Sequence, residues 1–188
     1  ATLAILAFEP LCGTFTIGGP TSNFSNFTDA IDALIDYGIT CPVTFVIEPG
    51  TYTETVVIPA ITGSSTTNTI TFKPAVGGDV ILTSSSTNAT LRFNAASNII
   101  FDGSNNGTNS RDMHIINSAT TTNTAAIWVS SQGTNLGSEN ITLKNLKVKA
   151  GVNSVTSTFG IISSGTTIST SATGAHNNNL KIENNLVE

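Results

Sequence analysis

A six-residue pattern that returns along the chain limits the possible folds more than any other feature. Asn-Ile-Ile-Phe-Asp-Gly at 98–103 comes back as Asn-Ile-Thr-Leu-Lys-Asn at 140–145 and Asn-Leu-Lys-Ile-Glu-Asn at 179–184, with a looser copy, Thr-Ile-Thr-Phe-Lys-Pro, at 69–74. The copies start at 69, 98, 140 and 179, so they are 29, 42 and 39 residues apart. A fixed short strand at uneven spacing means coils of one core joined by loops of variable length, which is the mark of a solenoid. The second and fourth residues of each copy are apolar (Ile70/Phe72, Ile99/Phe101, Ile141/Leu143, Leu180/Ile182). That is the period of 2 of a strand with one buried face.

Around this repeat the remaining apolar alternations fall into place. Strands are expected at 43–47, 55–58, 70–72, 80–83, 90–93, 98–101, 113–116, 125–129, 141–143, 146–148 and 159–163, with the last coil beginning at Leu180. From residue 69 on this gives three strands per coil and four successive coils, the last incomplete. The Ser/Thr/Asn/Gly stretches at 104–110, 132–139 and 163–178 are the loops that absorb the variation in length. Only one helix is convincing: Phe27, Ala30, Ile31, Leu34 and Ile35 recur at helical spacing, Asp29, Asp32 and Asp36 take the wet side, and Gly38 ends it. An amphipathic helix before the first coil covers the open apolar end that a solenoid otherwise exposes. The expectation is an all-β chain, one domain overall, with an N-terminal strand and capping helix in 1–42 and parallel β-helix coils in 43–188. The sequence stops in mid-coil, so it is expected to be the N-terminal part of something longer.

Charged residues are only 10% of the 188, so Thr, Ser, Asn and Gly must hydrate the surface. A net charge of −5 with no Lys/Arg run argues against nucleic acid or an anionic membrane surface, either of which needs a basic field. No apolar stretch is long enough to insert into a membrane. The apolar opening, residues 1–8, reads either as a first strand packed on the core or as a donor strand that pairs with a neighbouring copy. Cys12 and Cys41 flank the helix without any Cys-x-x-Cys or Cys/His cluster. A disulfide between them, or else two buried thiols, is expected; no metal and no cofactor is.

The run 26–34 followed by 43–59 resembles the helix cap and first coil of the right-handed parallel β-helix, the pectin-lyase-like superfamily. It includes the Gly-x-Tyr-x-Glu of pectin methylesterases at Gly50, Tyr52 and Glu54. The opening Leu-Cys-Gly-Thr-Phe-Thr-Ile-Gly-Gly at 11–19, with Cys41-Pro42, is similar to large surface proteins of Bacteroidetes-type bacteria, exported through the type IX system. These resemblances imply a secreted, extracellular or cell-surface protein. Enzymes of the superfamily carry paired aspartates with arginine, acids that hold calcium, or three aspartates. This chain has no Asp-x-Asp and no Asp-Asp pair. The functional expectation is therefore a non-catalytic adhesin or structural surface module that binds glycans or neighbouring copies. The alternatives are the N-terminal part of a pectin lyase-like or pectin esterase-like enzyme whose catalytic residues follow this segment, or a filament subunit.

Strand parity nominates the residues of interest. One outward column reads Lys73, Asp102, Lys144, Glu183, a ladder of alternating charge. Another reads Arg92, Trp128, Ile162, with Ala125, Ile127 and Val129 turned inward. A Trp beside an Arg is either a sugar-stacking platform or a ring covered by a loop such as 132–139. Asn98, Asn140 and Asn179 start successive strands and should stack as a structural amide ladder. His114 and His176 have no carboxylate at relay spacing and receive no role.

Overall fold

The structure is a computed structural model that describes residues 9–151, 157–171 and 176–188. Residues 1–8, on which the donor-strand expectation rests, lie outside the described residues. After β1 (Leu11–Ile17) and α1 (Phe27–Tyr37), the first full coil is β2 (Ile39–Ile47), β3 (Gly50–Thr53) and β4 (Val56–Ile58). The second is β5 (Ile70–Pro74), β6 (Val80–Ser84) and β7 (Ala89–Asn94), and the third β8 (Ser97–Asp102), β9 (Met113–Asn117) and β10 (Thr124–Ser130). The fourth is β11 (Glu139–Lys144), β12 (Leu146–Lys149) and β13 (Thr158–Ser164), and β14 (Lys181–Glu183) and β15 (Leu186–Val187) begin a fifth. These strands stack into three parallel sheets, β1-β2-β5-β8-β11-β14, β3-β6-β9-β12-β15 and β4-β7-β10-β13. The fold is a right-handed parallel β-helix.

The repeat sets the register. Ile70, Ile99 and Ile141 are neighbours in one inward column, and Phe45, Phe72, Phe101 and Leu143 in the next. The rings of Phe45, Phe72 and Phe101 stack with centroids 4.8 and 4.7 Å apart, the spacing of adjacent strands. Each is fully buried, and burying a Phe side chain contributes about 1.5–3 kcal/mol.

The helix closes the first end of this core. Asn26 caps it by accepting a hydrogen bond from the Asp29 backbone N–H at 2.8 Å. Phe27, Ala30, Ile31 and Leu34 are buried, and the helix packs on β1 and β4. Ile35 departs from the expected apolar face and is 50% exposed. At 100° per residue it falls on the edge of the stripe that the other four centre. Gly38, with φ 65°, turns the chain into β2, and a Cβ there would meet the Thr62 carbonyl oxygen at 2.7 Å. Strand β2 starts at Ile39, which pairs with Leu11 across an irregular step in β1. The division between cap and coils at residues 42 and 43 therefore falls inside one strand.

Candidate functional site

Trp128 stands between Arg92 and Ile162, the column that parity gives. The guanidinium of Arg92 lies 4.0 Å from the ring centroid and bonds Ser130 Oγ and Asn94 Oδ1 at 2.9 and 3.0 Å. The indole is nevertheless only 2% exposed. Ala89, Ala125, Ile162 and Ile168 enclose it, with Phe159 packed against them, in an apolar cluster separate from the main core. Its Nε1–H donates to Ser164 Oγ at 2.8 Å, and that hydroxyl donates to the Thr167 carbonyl at 2.9 Å. The open sugar platform expected at Trp128 and Arg92 is thus corrected to a covered ring. The cover comes from the chain around 162–168, not from 132–139. Ala125 also reverses its expected side: it joins the outer cluster with Trp128, while Ala126, Ile127 and Val129 line the core.

The amides at the strand starts bond in series. Asn140 Nδ2 donates to Asn98 Oδ1, and Asn179 Nδ2 to Asn140 Oδ1, each at 3.0 Å. All three residues have left-handed backbone, with φ 61°, 54° and 53°, a conformation that Asn tolerates better than most. A second ladder was not anticipated. Asn145 Nδ2 donates to Asp102 Oδ1 and Asn184 Nδ2 to Asn145 Oδ1, each at 2.7 Å. Its signal was the Asn that closes two of the repeats. The third copy has Gly103 there, where a Cβ would meet the Asn145 carbonyl oxygen at 2.1 Å, and Asp102 starts the ladder instead. Burial alone would raise the Asp102 pKa, but hydrogen bonds from Asn145, Lys144 and the Ser104 backbone N–H, with the charge of Lys144, hold it below its usual value. Lys144 Nζ lies 2.9 Å from the carboxylate.

Cys12 and Cys41 form a disulfide with Cα atoms 4.9 Å apart, joining β1 to β2. The Gly50-x-Tyr52-x-Glu54 segment clamps the helix. Glu54 accepts hydrogen bonds from the backbone N–H groups of Phe27 and Thr28 at 3.0 and 2.9 Å and from Thr28 Oγ1 at 2.6 Å. Tyr52 meets the Phe27 ring edge-on at 5.3 Å and donates to the Glu48 carbonyl at 2.8 Å. The cavity of about 510 Å³ beside these residues is lined in part by Thr28, Tyr52 and Glu54, whose polar groups the clamp already uses.

A different surface brings unlike titratable groups together. On the second sheet, Ile81, His114, Lys147 and Leu186 occupy one outward column. His114 Nε2 lies 3.1 Å from Lys147 Nζ and 3.3 Å from Asp79 Oδ2. Sequence spacing hid this carboxylate, because the coil returns Asp79 to His114 across a full turn. A cavity of about 370 Å³ opens beside the ring, lined among others by Ile116, Lys147, Lys149, Leu186 and Glu188. Burial, and then the charge of Lys147, lower the His114 pKa, opposed in part by Asp79, Asp112 and Glu188. His176 sits exposed on a separate loop. Among the described residues no group of three or more His, Cys, Asp or Glu could hold a metal ion. No described helix is long and apolar enough to cross a membrane.

No protein-family model and no curated protein matches the sequence. The fold is similar to the crystal structure of the deglycosylated pectin methylesterase from Aspergillus niger, with a TM-score of 0.50 and 14% identity over 84% of this chain. The match covers 52% of that protein, so this chain spans about half its length. At this identity the likeness is one of fold.

Proposed function

We propose that the chain is a module of an extracellular surface protein that acts through a rigid polar lattice and binds glycan without turning it over. The observation that carries this reading is how the fold uses its own carboxylates. Glu54 clamps the helix, and Asp102 anchors an amide ladder and pairs with Lys144. Asp112 accepts from Ser110 and the Asn105 backbone N–H, Glu139 from Asn178, and Glu183 pairs with Lys181. Groups committed to structure in this way are not available as acid, base or nucleophile. The disulfide supports an oxidising, extracellular setting. The likeness in fold to a pectin methylesterase supports a polysaccharide as the ligand class. The resemblance of the opening segment to type IX surface proteins of Bacteroidetes-type bacteria favours a bacterial surface as the setting of such a module.

Affinity electrophoresis through gels containing pectin of high or low methyl ester content, xylan or dextran tests the binding. Parallel assays for released methanol and for unsaturated uronate test for catalysis. Retardation in at least one gel without product is expected. Steady release of either product would overturn the reading in favour of an enzyme.

A further inference from the structure

We propose that the cavity beside His114 is a binding site for an oxyanion, a carboxylate or sulfate group, held by Lys147 and Lys149. We further propose that the site opens on acidification because His114 exchanges Lys147 for Asp79. That the oxyanion belongs to a glycan rests on the function proposed above; the site itself does not.

The argument begins with one nitrogen that has two incompatible partners. At 3.1 Å, Lys147 can donate to His114 Nε2 only while that atom carries a lone pair, in the neutral ring. At 3.3 Å, Asp79 can be bonded only when Nε2 carries a proton. One ring position cannot serve both. Protonation of His114 therefore ends the bond from Lys147, sets two cations against each other and supplies a donor to Asp79. The Lys147 ammonium is released into the cavity that it lines.

What it meets there is a second lysine. Lys147 and Lys149 are two apart on β12, so they share its outward face about 7 Å from each other, with Val148 turned into the core. Lys149 makes no ion pair among the described residues. Lys144 and Lys181, by contrast, are held by Asp102 and Glu183. Ile116 and Leu186 give the cavity an apolar flank. The charged groups that face His114 are Lys147 on β12, Asp79 before β6, Asp112 before β9 and Glu188 after β15. With a neutral ring, the two lysines of the site face three carboxylates, Asp79, Asp112 and Glu188. Protonation adds the positive charge that offsets the third carboxylate, engages Asp79 at the ring and frees Lys147. The net negative field over the cavity is thereby removed, and an anion is met by two unpaired ammonium groups. The exchange falls on the acid side of the ordinary histidine range, since burial and Lys147 both favour the neutral ring.

The test uses the whole chain and amide NMR titrations at about pH 5 and about pH 7.5, on either side of the histidine range. The probes are inorganic sulfate, a dextran sulfate oligomer, an oligogalacturonate and neutral maltohexaose. Shifts at Lys147, Lys149 and His114 should report anion affinity about tenfold tighter at the lower pH, a difference of about 1.4 kcal/mol. Maltohexaose should bind no better there. The tighter of the two anionic oligomers identifies the group.

The acidic protein also loses net negative charge on acidification, which favours anions everywhere; His114→Gln separates the two effects. It should keep the weak affinity of neutral pH and only the shallow pH dependence due to net charge, and Lys147→Ala should lose the tight binding. Asp79→Asn should move the transition to lower pH, and it serves should His114→Gln not fold. Equal pH dependence in His114→Gln and the parent, or sulfate affinity untouched by Lys147→Ala, overturns the proposal. Tightened sulfate binding with no oligosaccharide bound at either pH upholds the site and removes the glycan reading. Oligosaccharide bound equally at both pH values, and by Lys147→Ala, upholds the glycan reading and removes the site.

Discussion

The amide ladders and the His114 column are built by the same operation, the stacking of equivalent positions from successive coils, yet they end in opposite states. In the ladders the stacked residues are alike, so Asn98, Asn140 and Asn179 satisfy one another and have one arrangement. In the column Ile81, His114, Lys147 and Leu186 are unlike, and a nitrogen there has more partners than it can accept. Repetition produces rigidity, and the break in repetition leaves a group free to choose. The Trp128 column is a third case, in which an outward side chain is taken out of water by the chain folding back over it.

The largest expected effects are in the stacked and covered rings. Phe72→Ala, in the middle of the core stack, and Trp128→Ala, in the outer cluster, should each destabilise by about 3–5 kcal/mol in urea unfolding. A loss below about 1 kcal/mol for Trp128→Ala, the scale of an exposed position, would restore it as an open surface and break the third case. Replacing both Cys12 and Cys41 by Ser should cost about 3–4 kcal/mol, the value for a loop of about 30 residues. Mass spectrometry should find no free thiol in the parent.

The ladders can be divided more finely. Asn140→Gly keeps the left-handed backbone and removes the amide, so it should cost about 1 kcal/mol. Asn140→Leu adds the backbone strain of a residue that avoids this conformation, and should cost about 2–3 kcal/mol. Equal losses would mean that stacking, not conformation, selects Asn.

The smallest effect is the pH slope of the His114 column. Burial, then Lys147, put the folded pKa of His114 below its unfolded value of about 6.5. The fold thus favours the neutral ring, whose contribution to stability is complete above about pH 6.5 and is lost as the pH falls through the folded pKa. His114→Gln should flatten the melting temperature in that window and leave it unchanged at alkaline pH. A slope unaltered by the substitution would place the titrating group elsewhere.

These contrasts also explain what could be read from the sequence. The inward columns were legible because Ile99, Ile141, Phe101 and Leu143 recur with period 2 inside a longer period, and a solenoid fold follows from that alone. The first amide ladder was legible for the same reason. The His114 site was not, because Ile81, His114 and Lys147 are different residues at corresponding places and Asp79 reaches the ring from two residues before Ile81, so no pattern marks them until the coil length is known. Trp128 failed differently. Parity gives the side of a strand from which a ring leaves, but only tertiary packing decides that Ile168 returns to cover it.

The clamp of Glu54 on the capping helix bears on how such a chain comes to be folded at all. Residues 9–58 tie the helix, the disulfide and the first coil to one another, and so form the end of the stack on which the second coil is laid. Each later coil then needs only the edge laid down by its predecessor, some 29 to 42 residues earlier. Contact distance along the chain therefore stays constant as the solenoid lengthens, and the time to fold grows by addition, coil by coil. A polypeptide delivered from its N-terminus can build in this way, adding coils in the order in which they arrive.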